Sequence, residues 1–259
     1  AMGTVFYGIA TLLLIRGILI RLLGTAIPRG VLWMAVLGTP FFFYFFVQGV
    51  MSHVPSAFGV SLLLWAWLNA REVGWDLKRT AILGLAGGLA ALCRWQDILF
   101  LAFPLVDALL QGRRGIGRAA LAGGLAAVAF APQAVMWKTI YGSWLTIPQG
   151  PGALDWLHPS TLDLLFSPFH GILWWTPIIF LAVPGLILAG RRNFVIASMG
   201  IEFLLQVYVD STHHWWGGLA FGARRLTDCA PVFAVGIAAG LMALRKGRPR
   251  TADGRPPMG

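Results

Sequence analysis

Residues 194–244, "FVIASMGIEFLLQVYVDSTHHWWGGLAFGARRLTDCAPVFAVGIAAGLMAL", decide how this chain folds. Two apolar runs, 194–209 and 229–244, flank a segment, 210–225, that gathers two His, two Trp, three Gly and two Arg. A bilayer core asks for about 20 helical residues, which each run approaches once its flanks are counted. The pair therefore predicts two membrane crossings joined by a polar, aromatic connection.

The same alternation continues upstream, with apolar segments at about 3–23, 31–50, 57–70, 80–93, 98–110, 119–137 and 171–189. The 259 residues are 58% hydrophobic and only 12% charged, where soluble domains average nearer a quarter charged. A mean hydropathy of +0.74 exceeds what a water-soluble globule of this size can enclose. The predicted fold is all-α: a polytopic transmembrane bundle of about nine spans, or seven plus a re-entrant hairpin at 80–110. The two cysteines, Cys93 and Cys229, lie in or beside apolar runs and offer neither a disulfide framework nor metal spacing.

Orientation follows from charge. Of the 20 basic residues, all but Arg94, Lys138, Arg224 and Arg225 fall in alternate connections: around 16–29, 71–79, 113–118, 191–192 and beyond 245. The positive-inside rule makes this set cytoplasmic, which puts the first residues outside and the C-terminus inside. The net charge of +10 thus reads as topology, with the lipid bilayer as partner and no nucleic acid. Residues 1–245 form one transmembrane domain with external loops at 51–56, 94–97, 138–170 and 210–228. The Pro/Gly/Arg-rich tail 246–259 is predicted to be a disordered, basic cytoplasmic extension. Gly84 with Gly88, Gly123 with Gly124, and Gly236 with Gly240 are small-residue faces suited to close helix packing in lipid.

The polar chemistry sits on the opposite, external face. All five histidines (His53, His158, His170, His213 and His214) fall there, with Trp144, Trp156, Trp174, Trp175, Trp215 and Trp216. Interfacial anchoring accounts for any one of these tryptophans. Arg224 and Arg225 are harder to explain that way. They lie where positive charge is disfavoured, ahead of a helix that "TDCAP" starts, with Thr227 or Asp228 as its N-cap and Pro231 in its first turn. A cation there opposes the helix dipole by about 0.3–1 kcal/mol. An anionic partner would offset this, and arginine forks suit phosphate oxygens; headgroup anchoring, or an ion pair with Asp210 or Asp228, is the competing account. Asp210, His213 and His214 also offer ligand atoms for a divalent metal, although adjacent histidines diverge on a regular element. Asp155 and Asp163 are acids on the external side, and Glu202 is the acid placed well inside a span.

Four stretches, "MSHVPSAF", "RWQD", "LLFSPFHGILWWTPIIFLAVPGL" and "HHWWGGLAFGARRLTDCAPVFAVG", resemble in order the bacterial GT-C membrane glycosyltransferases of the protein mannosyltransferase and aminoarabinose transferase group. The resemblance implies an enzyme of the bacterial plasma (inner) membrane. It would move a sugar from a polyprenyl-phosphate carrier to a lipid, glycan or protein acceptor on the extracytoplasmic face. It implies that Arg224 and Arg225 face the carrier phosphate, and that His53, Arg94, Asp97 and His170 line the cavity with His213, His214, Trp215 and Trp216 beside it. The family's catalytic acid lies in the first external loop, yet no acidic residue precedes Glu72. The acid is therefore expected upstream of this sequence, with Asp97, Asp155 and Asp163 as substitutes. The competing readings are a transporter or flippase of an anionic lipid-linked substrate and a catalytically incomplete membrane scaffold.

Overall fold

A computed structural model describes residues 2–147, 149, 150, 152–214, 217 and 221–246. Among them no strand forms, and the one extended pairing is an isolated bridge between Leu154 and His213. The helices are α1 (Met2–Leu23), α2 (Val31–Leu37), α3 (His53–Val73), α4 (Leu77–Cys93), α5 (Ala102–Leu109), α6 (Arg113–Tyr141), α7 (Thr161–Phe166), α8 (Ile172–Trp175), α9 (Ile179–Gly190), α10 (Phe194–Ser211) and α11 (Ala230–Lys246). Tight 3₁₀ turns at Trp95–Leu101 and Arg224–Cys229 lead into α5 and α11.

Among the described residues, four helical stretches are long and apolar enough to cross a membrane: Met2–Leu23, Arg113–Tyr141, Phe194–Ser211 and Arg224–Arg245. Their packing differs in a telling way. The last is the core helix: α11 packs on α9 and also touches α1, α2 and α10. By contrast, α6 buries few of its residues, and α1 leaves Phe6, Ile9 and Leu13 exposed. The buried positions of α1 (Thr4, Gly8, Thr11, Ile15, Ile18 and Leu19) repeat at helical spacing, so one face packs inward while its apolar back is left for lipid.

Two predicted spans are broken. Within 31–50, α2 stops at Leu37, Thr39 turns its hydroxyl back onto the Ala35 carbonyl at 2.6 Å, and Pro40 has no N–H to continue the ladder. A π-helical turn at Phe43–Val47 follows. Within 171–189, α8 gives way at Thr176 and Pro177 before α9 begins, for the same reason. Apolar composition set the length of these segments, and proline cut them. The expected start of α11 also differs. Thr227 donates to the Arg224 carbonyl at 2.6 Å and Asp228 is drawn to Arg94, so neither serves as the simple cap that "TDCAP" suggests.

The contacts give the bundle two ends. Thr4 at the start of α1 bonds the Gly49 carbonyl just before α3, while Arg21 near its end lies 3.5 Å from Glu72 near the end of α3. The two helices therefore run in the same direction. From Asp76, whose carboxylate caps α4 through the Arg79 N–H at 2.7 Å, the chain climbs to Arg94. It returns through 95–109 until Asp107 meets Arg71 at 2.6 Å, at the end where α4 began. Thus 80–110 leaves one end of the bundle and returns to it as a hairpin. Gly84 and Gly88 allow its first leg to lie on α6, because a Cβ at either would fall on the Ala122 or Ala126 carbonyl. Gly236 does the same for α11 against Ala182 of α9. Gly123 and Gly124 face open space, so their expected packing role is absent.

Candidate functional site

Five pieces of chain meet at the end of the bundle opposite the Arg71–Asp107 pair. They are the start of α3, the end of α4 with its 3₁₀ turn, the last third of α6, the residue Gln149, and the turn that precedes α11. Between them lies a cavity of about 310 Å³ lined by His53, Arg94, Gln96, Gln133, Arg224 and Arg225, with Trp95 and Trp137 beside them. The sequence-predicted residues His53, Arg94, Arg224 and Arg225, from three separate connections, are thus brought to one place.

Beneath this cavity is a buried network that sequence reading missed. Arg94 reaches Asp228 at 3.2 Å and Asp210 at 3.8 Å, and donates to the backbone carbonyl of Arg225. Gln96 donates to Asp210 at 2.9 Å and to the Gln206 side chain at 3.1 Å, and Gln206 returns a bond to the Gln96 carbonyl at 3.3 Å. Ser56 donates to Asp97 at 2.5 Å, and Asp97 in turn lies against Asp228. Within the stretch 94–97, expected as an external loop, Arg94 and Trp95 are half-buried at the cavity and Gln96 and Asp97 are buried, because these groups satisfy one another there. Asp97 is fully buried, so it is a member of this support and does not line the cavity. The missed signal was periodic: Ser198, Glu202, Gln206 and Asp210 recur every fourth residue on one buried face of α10. Both carboxylate oxygens of Glu202 are buried without a hydrogen-bond partner among the described residues.

The network decides what the two arginines of the final turn are free to do. Both carboxylates weighed as their partners, Asp210 and Asp228, are engaged by Arg94. Among the described residues, neither Arg224 nor Arg225 lies within ion-pair distance of a carboxylate, and both are half-buried at the cavity wall. Arg94 holds the Arg225 carbonyl and hence the turn that presents both guanidiniums. Two guanidiniums with no carboxylate in ion-pair distance among the described residues thus face a half-enclosed, aromatic-walled space, although Asp210 is close enough to Arg225 to act on it electrostatically.

The other predicted residues are placed around this site. His170 is buried in an aromatic group with Phe169 and Trp175 at ring distances of 4.0 and 5.4 Å, and Trp175 reaches Phe221 at 5.1 Å. Phe221 stacks on Phe43 at 4.8 Å and its carbonyl accepts from Tyr44, which packs on His53. His170 therefore buttresses the segment ahead of Arg224 and does not line the cavity. His213 is buried and bridges to Leu154, with its Nδ1 3.2 Å from the Val209 carbonyl. Burial, with Arg225 and Arg94 adding to it, lowers its imidazole to about 4. His214 is exposed, so the two histidines diverge as expected for neighbours. Among the described residues no group of three or more His, Cys, Asp or Glu is placed to hold a metal ion. Trp215, Trp216 and the tail from 247 onward lie outside the described residues.

Asp155 is half-buried, Asp163 is exposed, and both lie outside the cavity. Asp155 accepts from the His158 and Leu157 N–H groups at 2.9 and 3.0 Å, and the first of these bonds holds its carboxyl below the usual range. Its role is to shape a turn. The Asp155 N–H also binds the Thr212 carbonyl at 2.7 Å and Ser160 binds Ser211 at 2.8 Å, which docks the long loop onto the end of α10.

An apolar groove of about 560 Å³, between α6 and the 95–105 leg, shares Ala91, Trp95 and Trp137 with the cationic cavity. The combination sets a cationic cavity directly beside an apolar surface. In comparisons with protein-family models, with curated proteins and with solved structures, the chain matches none. What fold and site define together is a class: an all-helical protein with helices able to cross a membrane and a cationic cavity at one end of the bundle.

Proposed function

We propose that this chain is a polytopic membrane glycosyltransferase that binds a polyprenyl-phosphate sugar and passes the sugar to an acceptor on the extracytoplasmic side of a bacterial inner membrane. The observation that carries the reading is that Arg224 and Arg225 share a cavity with His53 and Arg94 and, among the described residues, have no carboxylate within ion-pair distance, Asp210 and Asp228 being paired with Arg94. The adjoining apolar groove supports a lipid-linked substrate over a soluble one. The charge pattern supports the orientation: the ends of α1 and α3, the start of α4 and the start of α10 sit at the basic end, away from the cavity.

In the transfer, an acceptor oxygen attacks the anomeric carbon and the carbon–oxygen bond to the phosphate breaks. The electron pair stays on the phosphate, whose developing charge Arg224 and Arg225 stabilise. The acceptor proton must leave to a base. None of Asp97, Asp155 and Asp163 lines the cavity, and no carboxylate does so among the described residues. The same observation favours the second reading, a scaffold that binds the carrier without turning it over.

The test is binding and transfer with membranes holding the chain. A hydrogen bond to a charged group contributes about 1.5–3 kcal/mol, so Arg224→Ala with Arg225→Ala lowers affinity for polyprenyl phosphate at least tenfold and leaves binding of polyprenol unchanged. Equal binding of both lipids by the wild-type chain removes the proposal. Binding without transfer of a labelled sugar selects the scaffold reading.

A further inference from the structure

The basic end of the bundle holds a second cavity that the proposed reaction does not use. It encloses about 370 Å³ between the last turns of α1 and the start of α2, with Arg16 and Arg29 on its wall beside Leu19, Ile20, Ile27 and Trp33. Three other arginines of the basic end are engaged. Arg21 faces Glu72, Arg71 is bonded to Asp107, and Arg79 pairs with Asp76. Arg16 and Arg29 have no carboxylate within ion-pair distance among the described residues, although they come from different elements and converge on one space. Both are exposed, and two like charges on one cavity wall without a counter-charge favour an anion there.

The rest of the wall says what kind. Arg16 lies about 10 Å along the helix from the end of α1, deep enough for its stem to run along apolar surface while its head rises to the interface. Trp33 on its wall is exposed, and Leu13 and Leu37, one helical turn from Arg16 and Trp33, are exposed and apolar as well, so apolar surface continues from the cavity along α1 and α2. A free phosphate would meet the two guanidiniums but waste these apolar sides. A phospholipid would use both.

We infer that this cavity binds the phosphate headgroup of an anionic membrane lipid, gripped by Arg16 and Arg29 with its acyl chains along α1 and α2. A zwitterionic headgroup fits less well, because its own cation would face the two arginines. The site is separate from the cavity at Arg224 and Arg225, so its failure and the failure of the proposed function are read by different variants.

The experiment is native mass spectrometry of the full chain in a neutral detergent, titrated with dioleoyl phosphatidylglycerol or dioleoyl phosphatidylcholine. At about 1 kcal/mol for each basic residue near a lipid phosphate, one phosphatidylglycerol is retained about thirtyfold more tightly than phosphatidylcholine. Arg16→Gln with Arg29→Gln abolishes that preference. Arg79→Gln, whose guanidinium already has Asp76, leaves it intact, and Arg16→Lys with Arg29→Lys, which keeps both charges, retains it. Equal retention of the two lipids by the wild-type chain, an unchanged preference in the glutamine variant, its loss in the lysine variant, or displacement of the lipid by equimolar inorganic phosphate overturns the inference.

Discussion

Replacing Arg94 by methionine removes the cation that, among the described residues, lies within ion-pair distance of both Asp210 and Asp228, and the donor that holds the Arg225 carbonyl. The arginine side chain is 10% exposed and both aspartates 0%, so solvent cannot take over its work. Removing one partner of such a buried pair costs about 3–5 kcal/mol, because the charge left behind keeps its desolvation penalty without compensation. For a chain of this size 1 kcal/mol moves the melting temperature by roughly 2–4 °C, so the expected fall is about 6–20 °C. Thermal unfolding of the detergent-purified protein, followed by circular dichroism, reads it. The companion triple variant, Arg94→Met with Asp210→Asn and Asp228→Asn, removes the stranded charges and recovers most of the loss, since replacing a whole buried ionic group is often near neutral. Affinity for polyprenyl phosphate stays low in both, because the turn carrying Arg224 and Arg225 has lost its tether. If Arg94→Met melts within about 2 °C of the wild type, the network is not what holds this end of the bundle together.

Other perturbations separate packing from chemistry. Gly88→Leu drives a side chain into the Ala126 backbone of α6 and lowers the yield of folded protein sharply, whereas Gly124→Leu, facing open space, leaves yield unchanged; size-exclusion recovery compares them. Asp155→Ala and Asp163→Ala keep polyprenyl-phosphate affinity within about twofold in a binding titration, since both residues lie outside the cavity. His213 gives a pH dependence. Its imidazole is neutral in the fold down to about 4, against an ordinary value of 6.5, so between these values the unfolded segment binds the proton and stability falls as the pH drops. Arg225 and Arg94 face it and oppose its charge, and the Val209 carbonyl favours it. Amide exchange in 153–160 and 211–214 therefore speeds up from pH 6.5 to pH 4 beyond its intrinsic trend, and His213→Gln removes the change.

How much of this could be read from the residues depends on the range of the forces involved. Helical character, the four membrane-capable stretches and the segregation of basic residues to alternate connections are local or compositional, and they were legible. So were the glycine faces at Gly84, Gly88 and Gly236, because a close approach in lipid needs a small residue wherever it occurs. The breaks at Pro40 and Pro177 were legible in principle, and strong apolarity hid them. Arg224 and Arg225 stood out because topology and helix dipole both argue against a cation there.

Which arginine is free was decided only in three dimensions. The connection before the final helix holds Asp210, Arg224, Arg225 and Asp228, and any pairing of Arg94, Arg224 and Arg225 with the two acids is consistent with the order of residues in the sequence. Packing the 95–101 turn against α10 brings Arg94, more than a hundred residues away, onto both acids and leaves the adjacent arginines facing the cavity. Composition determines that a chain enters a membrane, since each residue's transfer energy is its own. Charge pairing depends on distance between groups, and distance exists only after the helices have packed.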